Sequence, residues 1–334
     1  MAAAGSAYVV IVVVTYNSAG VLDDFFEALP DALEGCSSSS LVVVDNASYD
    51  DTVSFAQARD EVDEIVCLDE NRGYAAGINA GVRARSNGDF YLVLNPDIRL
   101  GKRAVSELVH AAMRPGVGIA VPRLMDEHGQ LLHSLRHRPS IGRSLGEAVM
   151  GGRSGRWSRF GETVRATEKY RRSTRADWAT GGAMLIRRSC LLEAGGWDES
   201  FFLYEEEVDF ALRAADAGYE LRLQPLATAV RIIGSEGPSD YIWTLSRINK
   251  LRLYARRNSR TKAWVFWLVL ILAEFLRLTT RRSRHQNALR ELVMPFRFLD
   301  QLIQERLTPR PAAFRNRLRA SPPAPPRSHG GPTR

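Results

Sequence analysis

The chain has 334 residues, of which 45% are hydrophobic and 25% charged, enough for roughly two ordinary domains or one large α/β domain with an appendage. That balance excludes a disordered chain, a collagen-like repeat and a disulfide-stapled mini-protein. The net charge of +7 is unevenly spread: residues 247–334 carry 20 Lys and Arg against 4 Asp and Glu, a balance of +16, whereas residues 1–246 carry 25 against 34, a balance of −9.

In chain order, Tyr8 to Val14 is short, apolar and β-branched and ends in Thr15-Tyr16-Asn17. It predicts a buried parallel strand rather than a secretory signal, because no basic region precedes it and no small-residue cleavage site follows. Val21, Leu22, Phe25, Phe26 and Leu29 then recur at helical spacing, with a stop expected near Pro30. Leu41 to Val44 is a second strand ending at Asp45. A helix and strand follow between Thr52 and Leu68, a helix from Tyr74 to Arg85, and a strand from Phe90 to Leu94 ending at Asn95-Pro96-Asp97. Such alternation predicts a parallel sheet wound with helices, and ligands of such sheets sit beyond the carboxyl ends of the strands, where these polar turns collect.

Residues 136–175, rich in Gly, Ser and Arg, read as a long excursion or flexible loop. Regular structure resumes at Trp178 to Arg188 and in a helix from Glu206 to Ala217 closed by Gly218. From Ser321 onward the Pro- and Arg-rich composition predicts disorder. Cys36, Cys67 and Cys190 lie far apart, with no Cys-x-x-Cys pair, which disfavours a zinc site or disulfide framework and favours a reducing compartment.

Three groups of residues could carry chemistry. Glu205-Glu206-Glu207-Val208-Asp209 packs four carboxylates into five residues. Mutual repulsion raises the pKa of some of them, as suits a general base, although acidic residues also favour a helix N-terminus on their own account. Asp97 is a candidate ligand for a divalent cation that takes its other oxygens from phosphates, although Asn-Pro-Asp is also a good turn. Asn71-Arg72-Gly73-Tyr74-Ala75-Ala76-Gly77-Ile78-Asn79 suits close approach to a phosphate or ribose. No Gly-x-Gly-x-x-Gly follows the first strand and no P-loop is present, which argues against a nicotinamide enzyme and a nucleotide triphosphatase.

Together with Val14-Thr15-Tyr16-Asn17, Val44-Asp45-Asn46-Ala47-Ser48, Leu94-Asn95-Pro96-Asp97, the segment Gly181 to Arg188 and the segment Gly195 to Phe202, these motifs resemble the family 2 inverting glycosyltransferases. The branch they resemble most is that of bacterial rhamnosyltransferase-type enzymes. The resemblance covers roughly Val9 to Tyr254. It implies a GT-A fold, an α/β, Rossmann-like and mostly parallel sheet, spanning residues 1–250. A basic helical extension over 251–320 and a disordered tail over 321–334 would follow.

By the same resemblance Thr15, Tyr16, Asn17 and Asp45 would hold the base and ribose of a nucleoside-diphosphate sugar, and Asn71, Arg72 and Asn79 would line the donor site. Asn95 would open the metal motif in place of its usual Asp, and Asp97 would bind Mg²⁺ or Mn²⁺. Trp178 to Gly182 would border sugar and acceptor, and Glu207 or Glu206 would be the catalytic base. Two departures stand out: Glu207 occupies the position of the usual Asp base, and Arg231 that of a common His. The implied activity is inverting transfer of a sugar, rhamnose-like by preference, to a glycan or lipid-linked acceptor in cell-envelope synthesis. A non-catalytic nucleotide-sugar-binding relative is the alternative.

The basic tail suits an anionic membrane or a nucleic acid. It lacks a recognition motif and interleaved stacking aromatics, so nucleic acid is disfavoured. Ala263 to Ala273 is an unbroken apolar run ended by Glu274, with Arg260 and Lys262 before it and Arg277, Arg281, Arg282 and Arg284 after. It is too short for a confident span and reads as an interfacial helix or a buried one. The expected location is the cytoplasm, peripherally attached to the inner face of the cell membrane.

Overall fold

The computed structural model describes residues 7–151, 154, 160–232, 239–280 and 282–293. The expected tail over 321–334, the segment 294–320, Gly234-Ser235 and Arg281 lie outside the described residues. The first half alternates as expected: β1 (Tyr8–Thr15), α1 (Ala19–Leu33), β2 (Ser38–Asp45), α2 (Thr52–Gln57), β3 (Glu64–Cys67), α3 (Tyr74–Ala84) and β4 (Phe90–Leu94). Then come β5 (Ile98–Leu100), α4 (Ala104–Ala112), β6 (Val117–Asp126), β7 (Leu135–Arg136), α5 (Ile141–Met150), β8 (Thr174–Ala176), β9 (Trp178–Ala179) and β10 (Ala183–Arg187). The chain closes with α6 (Arg188–Ala194), α7 (Glu206–Asp216), β11 (Glu220–Arg231), α8 (Asp240–Arg257), α9 (Arg260–Arg277) and α10 (Ser283–Val293).

The main sheet runs β3-β2-β1-β4-β10-β6-β11-β5, with β8 beside β11, and β7 pairs β9 in a small second sheet. β1, β2, β3 and β4 are parallel, as are β6 and β11, while β10 runs antiparallel between β4 and β6. The Val-rich run of β1 is explained by burial on both faces. Val10, Val12 and Val14 enter the core shared with α3 and α7, and Val9, Ile11 and Val13 the core shared with α1 and α4. A third, smaller core joins α8, α9 and α10 through Leu251, Phe266, Leu270 and Leu292, with Tyr254 stacked on Phe266 at 3.9 Å.

Two expectations require correction. α1 does not stop at Pro30 but continues to Leu33. Pro30 costs one backbone bond near the helix end, where the fully buried Ala32 still packs beneath the sheet. Residues 136–175 are not simply a loop, because they contain α5, a 3₁₀ turn at Thr167–Tyr170 and β8. Local composition hid α5, which is stabilised by Ser140 capping Arg143 N and by packing on α9. α8 runs unbroken across residue 250, and its Asn249 and Lys250 bond to Leu203, Tyr204 and Glu162.

Candidate active site

A cleft of about 390 Å³ opens beyond the carboxyl ends of β1 and β4, lined among others by Tyr16, Asn17, Tyr74, Asn95 and Asp97. Tyr16 and Tyr49 stand edge to face at its mouth, with centroids 6.2 Å apart. Asn17 adopts a left-handed φ of 49°, which Asn tolerates. Its backbone N–H donates to Ser48 Oγ at 2.8 Å, and its Oδ1 accepts from Tyr49 N at 3.0 Å. The turns after β1 and β2 are thus knitted into one wall.

Beneath that wall, Thr15 and Asp45 are buried. Asp45 accepts from Thr15 Oγ1 at 3.1 Å, from Ser48 N at 2.8 Å and from Ser48 Oγ at 2.5 Å. These two residues support the cleft from below rather than line it. Asn71 and Arg72 also sit back from it: Asn71 Oδ1 accepts from Gly73 N, and Arg72 pairs with Glu199 at 3.1 Å. Asn79 is buried, donating to Trp197 O and Glu199 Oε1 and accepting from Trp197 N. Its amide is spent on fastening the 197–199 segment to α3. Trp178 is buried too, with Nε1 donating to His137 O at 3.0 Å.

The turn after β4 supplies the other wall, with Asn95, Pro96 and Asp97. Asn95 N donates to Gly182 O at 3.0 Å and Ile232 N to Asp97 O at 2.9 Å, so the turn after β4 is held by the start of β10 and the end of β11. Asp97 Oδ2 accepts from Arg231 Nε at 3.0 Å, whereas Asp97 Oδ1 and Asn95 Oδ1 are buried without a protein partner. Arg99 braces this turn from behind, donating to Pro96 O at 2.7 Å and to Val21 O at 2.5 Å.

Glu206 and Glu207 begin α7, where the helix dipole favours negative charge. They are presented by a strained turn: Tyr204 and Glu205 take left-handed φ values of 67° and 72°, each costing about 1–3 kcal/mol. Three contacts hold that turn. Asn249 Nδ2 donates to Leu203 O at 2.9 Å and Tyr204 O at 3.2 Å, and Tyr74 N donates to Phe202 O at 2.9 Å. Lys250 beside it pairs at 2.5 Å with buried Glu162. Glu207 packs against Gly181, where an added Cβ would lie 3.3 Å from its own Cβ.

Burial pushes the Glu206 carboxyl well above its usual range, and the charge of Glu207 adds to this. Burial also raises Glu207, opposed by the nearby Arg136 and Arg231. The Oε2 atoms of Glu205, Glu206 and Glu207 are buried without a partner. Tyr74, facing Glu206, Asp97 and Glu207, is held far above the ordinary phenol value, mainly by burial. Sequence reasoning did not single out Tyr74, Arg136 or Asn249 as site residues. Tyr74 stood inside a motif chosen for its glycines and amides, whereas Arg136 and Asn249 carry no local pattern that marks them.

Burial pushes Glu205 up to about 8, against the pull of Lys250. An acid raised in the folded state contributes stability that is full below its unfolded value, near 4.5, and is lost as pH rises through about 8. Thermal melts from pH 4 to 9 are therefore expected to show the parent chain losing stability toward the alkaline end. Glu205→Gln should show a shallower loss, and parallel curves would contradict the assignment.

Comparison with known proteins agrees with this geometry. The model of the family described as "Glycosyl transferase family 2" matches residues 10–191. An N-acetylglucosaminyl-diphospho-decaprenol L-rhamnosyltransferase of Mycobacterium tuberculosis is 32% identical over 223 residues, covering 63% of this chain and 71% of the relative. A low-salt glycan biosynthesis hexosyltransferase of Haloferax volcanii is 28% identical over 212 residues, covering 61% and 60%. Among solved structures, a mannosyltransferase of Pyrobaculum calidifontis in complex with GDP-Man and Mn²⁺ superposes with a TM-score of 0.53 at 16% identity, over 93% of this chain and 85% of that one. The fold is the GT-A arrangement with a helical C-terminal region, and the chain belongs to glycosyl transferase family 2 and is a glycosyltransferase.

Proposed function

We propose that the chain transfers rhamnose or a closely similar sugar from a nucleoside diphosphate to a lipid-linked glycan acceptor in cell-envelope synthesis, with inversion. The observation carrying this reading is the cleft lined by Tyr16, Asn17, Asp97 and Tyr74, the last of which also faces the Glu206-Glu207 pair. The rhamnosyltransferase relative supports the choice of sugar and acceptor.

Tyr16 and Asn17 hold the base and ribose, and Glu207 is the base. Its carboxylate takes the proton of the acceptor hydroxyl as that oxygen attacks the anomeric carbon. The new carbon–oxygen bond forms while the bond to the diphosphate breaks, and the nucleoside diphosphate leaves with the electron pair. A carboxylate made more basic by burial suits this task. Glu207 is preferred over Glu206 because it lies beside Arg231, the partner of Asp97, and against the Gly181 turn. Arg231 offers a fixed positive charge where the leaving group becomes more negative.

A divalent ion, Mg²⁺ or Mn²⁺, fits Asp97, whose Oδ1 is buried and unpartnered. Among the described residues no group of three acidic, His or Cys side chains could cage an ion, so donor phosphates must complete the shell. When bound, it neutralises diphosphate charge. The enzyme works at the cytoplasmic face of the membrane that carries its acceptor. The test is incubation of the full chain with nucleoside-diphosphate rhamnose, with and without a diphospho-polyprenol-linked amino sugar. Acceptor-dependent transfer is the expected result. Donor binding without transfer or hydrolysis would leave a non-catalytic sugar-nucleotide binder.

A further inference from the structure

A surface helix normally turns its polar side to solvent and its apolar side to the core. α9 is apolar on both sides over most of its length: Phe266, Val269, Leu270 and Ala273 are buried against its neighbours, and its outward side is apolar as well. Its one carboxylate is satisfied inside the three-helix cluster: Glu274 is fully buried, accepting from Trp243 Nε1 at 3.1 Å and Arg277 Nη1 at 2.9 Å, with His285 Nδ1 at 2.7 Å. Trp267 Nε1 donates to Leu292 O at 2.8 Å on the same side. The outward stripe is Val265, Leu268, Leu272, Phe275 and Leu276, between 39% and 59% exposed. α5, which packs on α9, leaves Leu145 and Val149 exposed as well.

We propose that the outward face of α9, with α5 beside it, is a docking surface for an anionic lipid bilayer, in which α9 lies parallel to the membrane plane. Charge complementarity selects this occupant. Exposed Arg260 and Lys262 stand at one end of the stripe and exposed Arg282 beyond the other, within a segment whose balance is +16. Basic residues around an apolar helix face bind anionic headgroups while the apolar side chains enter the acyl boundary. The buried Glu274 argues against a crossing helix: a span would pull this carboxylate away from Trp243 of α8 and His285 of α10 into hydrocarbon. The inference deepens the membrane-side reading above and rests on it for its purpose, but its test needs no transfer reaction.

The test is sedimentation of the full-length protein with phosphatidylcholine vesicles, with and without about one-third phosphatidylglycerol. Binding is expected with the anionic vesicles, to weaken at high salt, and to fall at least about tenfold in Leu268→Glu/Leu272→Glu. These side chains are exposed, so unchanged melting of the variant separates lost docking from lost folding. Equal binding of parent and variant would overturn the proposal. So would a concentration-dependent dimer that the variant abolishes, with no vesicle binding by the parent. Retention of vesicle-bound protein after alkaline carbonate extraction would also contradict it, showing a span.

Discussion

Glu207→Gln is expected to lower the rate of transfer by about 10²–10⁴-fold, the usual contribution of a positioned general base, while donor affinity changes little. The amide has the shape of the acid and can keep its packing against Gly181, but it cannot take a proton from the acceptor. Folding should not suffer. Glu207 is buried beside Glu206, and each carboxylate raises the cost of ionising the other, so removing one charge relieves the pair. A loss of kcat without a rise in donor KM therefore separates a chemical role from a structural one. Glu206→Gln is the necessary comparison. If it abolishes turnover while Glu207→Gln retains it, the base is Glu206 and the two roles are reversed.

A second large effect is expected on stability. Asp209, one turn beyond the catalytic pair on α7, accepts from Arg213 Nε at 2.6 Å, and both side chains are buried. Arg213 also donates to Ala194 O at 2.5 Å and Gly195 O at 3.2 Å, which ties the end of α6 to α7. Asp209→Ala leaves the guanidinium without this counter-ion, an imbalance that costs about 3–5 kcal/mol. Against the roughly 5–15 kcal/mol that holds a typical domain together, that is a large fraction. Denaturant unfolding should show it as a lowered midpoint. The double replacement Asp209→Leu with Arg213→Met removes both charges and should cost less than the single one. A greater loss in the double variant would mean that the Arg213 carbonyl contacts, not its charge pairing, carry the stability.

Much of the sheet was legible because both of its faces are covered. Val9 to Val14 is apolar without alternation since successive side chains enter two different cores. β6 and β11 escaped notice: Pro122 interrupts one, and register shifts around Glu220 and Gln224 break the pattern of the other. α1 outran its Pro because buried Ala32 outweighs one missing bond. The strand-end motifs identified the neighbourhood of the cleft, yet not which side chains face it. Tyr16, Asn17, Asn95 and Asp97 do; Thr15, Asp45, Asn79 and Trp178 are consumed in holding the walls. Nothing local could reveal that Arg231 reaches Asp97 across 134 positions, or that Asn249 clamps the left-handed turn before Glu206. Those contacts exist only once β11 and α8 have packed.

The most direct measurement is the anomeric configuration of the sugar transferred by the purified full-length protein, read by NMR on the product formed from nucleoside-diphosphate rhamnose and a diphospho-polyprenol-linked amino sugar. A single displacement driven by Glu207 predicts one new glycosidic bond with the configuration opposite to that of the donor, formed only when acceptor is present. A product that retains the donor configuration would contradict the mechanism, and a protein that binds the donor yet forms no product would contradict the activity itself.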